Sequence, residues 1–78
     1  METELQDIFL RIFELDIIPE NFKKNNNEDI WDSIKHLMLV VEIESYYKIS
    51  LSPEEIQSIE SLEAAIEIIQ KKNHGTRE

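Results

Sequence analysis

The 78-residue chain has no Cys, one Gly and two Pro. Without Cys there is neither a disulfide nor a thiolate metal site, so no staple compensates for small size. A single Gly argues against a strand-and-turn architecture and against any Gly-rich phosphate loop. Long apolar runs are missing too: the longest, residues 37–41, falls far short of the roughly 20 residues that span a bilayer. Positive charge is scarce, with 8 Lys and Arg against 17 Asp and Glu and a net charge of -9. Contact with a nucleic-acid backbone is thereby excluded, because phosphates need Lys and Arg. The natural complement is an electropositive partner surface.

What is there is 41% hydrophobic residues, enough for one domain with a thin core. A chain this short buries only about 60% of its unfolded surface. Residues 1–39 carry nine acids and four bases and residues 40–78 carry eight and four, so the acidity belongs to the whole body. It is densest at positions 49–70, with five Glu and no Lys or Arg, which reads first as a solvated face. Glu2, Glu4 and Asp7 stand where a signal peptide carries basic residues, so a cytoplasmic protein without membrane insertion is expected.

Four helical segments follow from the periodicity, with no internal repeats. Leu5, Ile8, Phe9, Ile12 and Phe13 keep the spacing of an amphipathic helix. Thr3 and Gln6 suit a capping box at its start, and Pro19 is expected to end it. Residues 20–29 are polar with three consecutive Asn, a loop long enough to be functional or poorly ordered. A second helix begins at Asp32 or Ser33 and runs to about Tyr47. Ser52, Pro53 and Glu55 form a complete start signature for a short third helix carrying Ile56 and Ile59. Ser61 caps a last helix with Leu62, Ala65, Ile66 and Ile69 on one side and Gly75 available as terminator. Residues 73–78 are expected to fray. The expected fold is an all-α antiparallel four-helix bundle with a short third helix, spanning 1–78 as one domain.

The second helix has one apolar side too many. At 100° per residue, Leu39, Val40, Ile43, Tyr46 and Tyr47 cluster within about 120°, a width that suits the core. Ile34, Leu37, Met38 and Val41 form a second stripe on nearly the opposite side. Either this helix is central and packed on both sides, or the second stripe is partly exposed and docks partner proteins or shelters an apolar ligand. Just before that stripe, Ser33 occupies the first helical turn, where free N–H groups and the helix dipole favour a phosphate. A plain capping role for Ser33 is the competing reading.

The run Trp31, Asp32, Ser33, Ile34 resembles the attachment motif of acyl carrier proteins, an Asp-Ser-Leu opening the second helix. Downstream, without a gap, Leu37, Val40, Val41 and Ile43 fall at the family's apolar positions. Glu44, Tyr47, Ile49, Leu51, Pro53, Glu54, Glu55, Ile56 and Ile59 follow in register, then Leu62, Ala64, Ala65, Ile66 and Ile69. The resemblance covers about residues 30–72, and the first helix agrees in pattern. It implies a four-helix carrier whose Ser33 is esterified by 4′-phosphopantetheine from coenzyme A, with Asp32 assisting the phosphopantetheinyl transferase. It implies a non-catalytic, monomeric carrier serving fatty acid, lipid, polysaccharide or secondary-metabolite synthesis. Ile34, Leu37, Met38 and Val41 would form the docking stripe, with Glu44 and Glu55 guiding acyl-loading and acyl-transferring enzymes that have electropositive docking surfaces. Of three departures from the family pattern, Ile34 for Leu conserves volume and is of little consequence. Residues 28–31 without Gly, with the aromatic Trp31 before Asp-Ser, and Lys35, Met38 and Ser45 where primary fatty-acid carriers have acids, resemble those of a specialised stand-alone carrier. The alternative is an acidic helical protein-interaction module without a prosthetic group.

Other residues carry less. His36 and His74 lack the Cys or third His of a transition-metal site, and His36 reads as a packing residue. Glu54 and Glu55 are adjacent on a helix and point apart, so capping explains them better than acid–base work. Trp31 could stack on a ligand or cover the helix start. The acidic segment lacks the spacing of a calcium loop.

Overall fold

The computed structural model describes the backbone of residues 2–76 and the side chains of residues 3–72. Four helices follow in order: α1 (Glu2–Phe13), α2 (Ser33–Tyr47), α3 (Pro53–Ser58) and α4 (Leu62–Thr76). The described residues hold no strand, and the chain is an antiparallel four-helix bundle with a short third helix. Lys35, near the start of α2, meets Ile12 and Glu14 at the end of α1, so these two helices run antiparallel.

The starts of α2, α3 and α4 lie where their caps place them. The Asp32 carboxylate accepts the Lys35 N–H at 2.9 Å. Ser52 and Glu55 close a reciprocal capping box with Pro53 in the first turn, and Ser61 Oγ accepts the Ala64 N–H at 3.1 Å. Each cap satisfies a backbone donor that the helix itself leaves free, a contribution of about 1 kcal/mol. The start of α1 differs from expectation, since the helix begins at Glu2 and Thr3 lies inside it.

Of the helix ends, that of α2 lies at Tyr47 as expected, whereas that of α1 does not. α1 stops at Phe13, well before Pro19, because Glu14 turns to φ 58° and the Leu15 N–H bonds back to the Leu10 carbonyl at 2.9 Å. α2 ends the same way: Lys48 has φ 58° and the Ile49 N–H reaches the Glu44 carbonyl at 3.1 Å. This left-handed closure normally takes Gly, and another residue there costs about 1 kcal/mol. The single Gly is not used for it, as Gly75 lies within α4. The His74 side chain and residues 77 and 78 of the expected frayed end lie outside the described residues.

The core joins Leu5, Ile8, Phe9, Ile12 and Phe13 of α1 to Leu39, Val40 and Ile43 of α2, with Ile59, Ala65 and Ile69 from the C-terminal part. Two aromatics from the α1–α2 connection complete it. Phe22 and Trp31 are buried against Phe13, with ring centroids 4.9–5.5 Å apart. Tilted and edge-on arrangements of this kind add to the area they bury. The connection is tied down by its own amides: Asn27 Nδ2 donates to the Lys23 carbonyl at 3.0 Å and Asn26 Nδ2 to the Asn21 carbonyl at 3.2 Å. A single antiparallel bridge between Lys23 and Ser61 fastens it to the start of α4. Tyr46 departs from the expected core stripe and is exposed, with its ring edge-on to half-buried Tyr47.

Candidate functional site

Ser33 is the first residue of α2, and the local chemistry fixes its backbone while leaving its hydroxyl outside. Asp32, in extended conformation, is the cap: its carboxylate takes the Lys35 N–H and its carbonyl takes the His36 N–H, both at 2.9 Å. Ser33 is therefore not the cap, and among the described residues no hydrogen bond engages its exposed hydroxyl. On the other side, Trp31 is buried rather than available for stacking on a ligand. Its backbone N–H bonds to the Asn27 carbonyl at 2.7 Å.

His36 anchors the same turn from within. Trp31 Nε1–H donates to His36 Nδ1 at 2.9 Å, and His36 Nε2 lies 2.8 Å from the Ile56 carbonyl. An indole nitrogen only donates and a carbonyl only accepts, so Nδ1 carries the lone pair and Nε2 the proton. The neutral imidazole thus links the approach to Ser33 with α3, as a packing residue with both nitrogens satisfied. Among the described residues no group of three His, Asp or Glu is placed to hold a metal.

The second apolar stripe of α2 is exposed. Ile34, Leu37 and Val41 are 69%, 60% and 62% accessible, and Met38 44%. With Ile12 beneath and Glu42 at the rim, they line an open groove of about 430 Å³ beside Ser33. Packing on both sides of α2 is therefore excluded for this stripe. Ile34, Leu37, Met38 and Val41 come together on one side of the helix, and Ser33 precedes them as its first residue.

No family model, curated protein or solved structure matches the chain. The site must be read from its own residues.

The two candidate guiding acids sit elsewhere and are engaged. Glu44 Oε2 accepts the Leu51 N–H at 2.9 Å and so holds the α2–α3 connection. Glu55 accepts the Ser52 N–H and pairs with Lys72 of α4 at 2.8 Å. The Lys72 ammonium, helped by the Ser52 N–H, holds the Glu55 carboxyl below its ordinary value. Sequence reasoning did not anticipate Arg11, which bonds Glu42 at 2.9 Å across the groove rim. Nor did it anticipate the end of α1, where Lys35 Nζ donates to the Ile12 carbonyl at 2.9 Å and lies 3.6 Å from Glu14. A second, larger hollow of about 840 Å³ lies between the α1–α2 connection and the start of α4, lined by Pro19, Lys23, Ser61 and Glu63 among others. It is open and mostly polar.

Proposed function

We propose that this chain is an acyl carrier protein, non-catalytic itself, that bears 4′-phosphopantetheine on Ser33. The observation that carries the reading is an exposed, unengaged Ser hydroxyl on the first residue of a 15-residue helix, beside an apolar stripe with no partner. The residues fit the group. Early N–H groups of a helix have no intrahelical partner, and the positive end of its dipole favours a phosphodiester. When bound, the arm supplies the thiol that a chain without Cys lacks, and acyl groups travel on it as thioesters.

The chain's own residues do the rest. Asp32 and Trp31 hold the attachment turn still, so the flexible element is the arm and not the helix. The Ser33 hydroxyl faces solvent, where a phosphopantetheinyl transferase can reach it, and Asp32 borders its approach. Ile34, Leu37, Met38 and Val41 offer a surface on which acyl-loading and acyl-transferring enzymes bind, and docking raises the effective concentration of the tethered group. Lys35, Met38 and Ser45 in place of acids favour a specialised pathway over general fatty acid synthesis. The reading requires a compartment that holds coenzyme A, and the cytoplasm is the one proposed. An interaction module would use the same stripe and leave Ser33 unmodified.

Incubation with coenzyme A and a broad-specificity phosphopantetheinyl transferase, followed by intact-mass analysis, tests this. A gain of one phosphopantetheinyl group is expected for the wild type and none for Ser33→Ala. An unmodified wild type, or a Ser33→Ala variant modified to the same extent, would sink the proposal.

A further inference from the structure

Ser33 has no tie of its own. Among the described residues no hydrogen bond engages its hydroxyl, which therefore stands where the backbone of residues 31–33 places it. Downstream, the Asp32 cap fixes that backbone to α2. Upstream it depends on Trp31, two residues before Ser33. The Trp31 ring rests among Phe9, Phe13 and Phe22, with centroids 4.9–5.6 Å away. Apolar packing of this kind fills volume but has no direction. One contact of the ring has direction: Nε1–H donates to His36 Nδ1 at 2.9 Å, and a hydrogen bond weakens steeply once it is turned off line.

His36 accepts there as one tautomer only. Its Nε2 lies 2.8 Å from the Ile56 carbonyl, and a carbonyl needs a donor, which keeps the proton on Nε2 and the lone pair on Nδ1. The Ile56 carbonyl does not depend on this bond, since it also accepts the Ile59 N–H at 3.3 Å. His36 is moreover the one buried polar side chain among the described residues. Stability does not account for it, because replacing both partners of a buried hydrogen bond by apolar groups of the same shape can be nearly neutral. What a fully satisfied buried polar pair adds is a single arrangement of the groups it joins.

We infer that His36 is a positioning residue for the loading of Ser33: by holding the Trp31 indole in one orientation, it presents the hydroxyl to the transferase in one place. The inference rests on the carrier reading and adds to it a residue that acts through Trp31 rather than on the reacting atoms. In loading, Ser33 Oγ bonds to the coenzyme A phosphorus that bears the pantetheine. The pyrophosphate bond breaks, adenosine bisphosphate leaves with the bridging oxygen, and the hydroxyl proton passes to a base of the transferase. A misplacement of about 1 Å can cost about a hundredfold in rate, so an error in the turn reaches the chemistry even where the fold survives.

The test compares initial rates of loading with coenzyme A and the broad-specificity transferase, read by intact mass on variants that circular dichroism shows to be folded. His36→Leu removes the acceptor, and kcat should fall by about tenfold or more. KM should stay within about twofold, the pattern of an interaction felt in the transition state and not in docking. Trp31→Phe breaks the same bond from the other side and should do the same, so it carries the comparison if His36→Leu does not fold. His36→Asn keeps an acceptor for the indole and should recover most of the rate. Ile69→Ala opens a cavity in the buried face of α4 and so lowers stability without touching the bond; it should load like wild type. Unchanged rates in His36→Leu and Trp31→Phe, or a fall confined to KM, overturn the inference. So does a His36→Asn or Ile69→Ala variant as slow as His36→Leu. The carrier reading survives each of these outcomes if wild type is loaded on Ser33, whereas an unloaded wild type overturns both.

Discussion

The two sides of α2 carry nearly the same chemistry and have opposite fates. Inward lie Leu39, Val40 and Ile43, all buried; outward lie Ile34, Leu37 and Val41, all exposed. Hydrophobicity does not choose between them. His36, the one polar side chain of the buried side, would on hydropathy alone be placed outside. It is inside because Trp31 and Ile56 satisfy both ring nitrogens. The aromatic cluster of Phe9, Phe13, Phe22 and Trp31 fills the volume next to it. Where a helix is apolar on two sides, the side with polar satisfaction and matched volume becomes core, and the other stays available.

The strongest way to break this comparison is to truncate one leucine on each side. Leu39→Ala should cost about 3 kcal/mol of stability in urea denaturation, through lost transfer energy and a cavity. Leu37→Ala should stay within about 0.5 kcal/mol, as for an exposed position. Equal costs would mean that the outer stripe is structural. Next in size is the polar link: His36→Leu strands the buried Trp31 N–H and should cost about 2 kcal/mol. His36→Asn should cost less, because its amide oxygen can still accept from the indole; equal losses in urea would remove the hydrogen bond from the account.

The smallest effect concerns the strap that holds α3, and with it the Ile56 carbonyl, against α4. The carboxyl of Glu55 is held below its ordinary 4.5 by Lys72 and the Ser52 N–H. A lowered folded-state value means that its contribution is complete above the ordinary value and is lost as pH falls through the lowered one. The stability difference between wild type and Glu55→Gln should therefore be constant from neutral pH to just above 4.5 and shrink below it. Thermal melts across that range measure this, and a difference that grows on acidification would contradict the assignment.

The starts of α2, α3 and α4 were legible in the sequence because caps are local: Asp32, Ser52 and Ser61 each act within three residues. The end of α2 near Tyr47 was legible too, but that of α1 was not, because Glu14 adopts the left-handed turn without a residue type that announces it. The periodic core of α1 and α4 was readable, while Phe22 and Trp31, which lie outside any helical repeat, reveal burial only through tertiary packing. At the candidate site, the position of Ser33 and the existence of a second stripe were readable from spacing. Their exposure was not, nor was the neutralisation of Glu42 by Arg11, a contact between residues 31 positions apart.

Trp31 is the only tryptophan of the chain, and it lies two residues before Ser33 with its N–H bonded to His36. The protein therefore carries its own optical probe at the place where the arm would be joined. Its emission reports the helix start without any label: it should hold steady while Ser33 is loaded, and shift towards the red when the indole loses its cover.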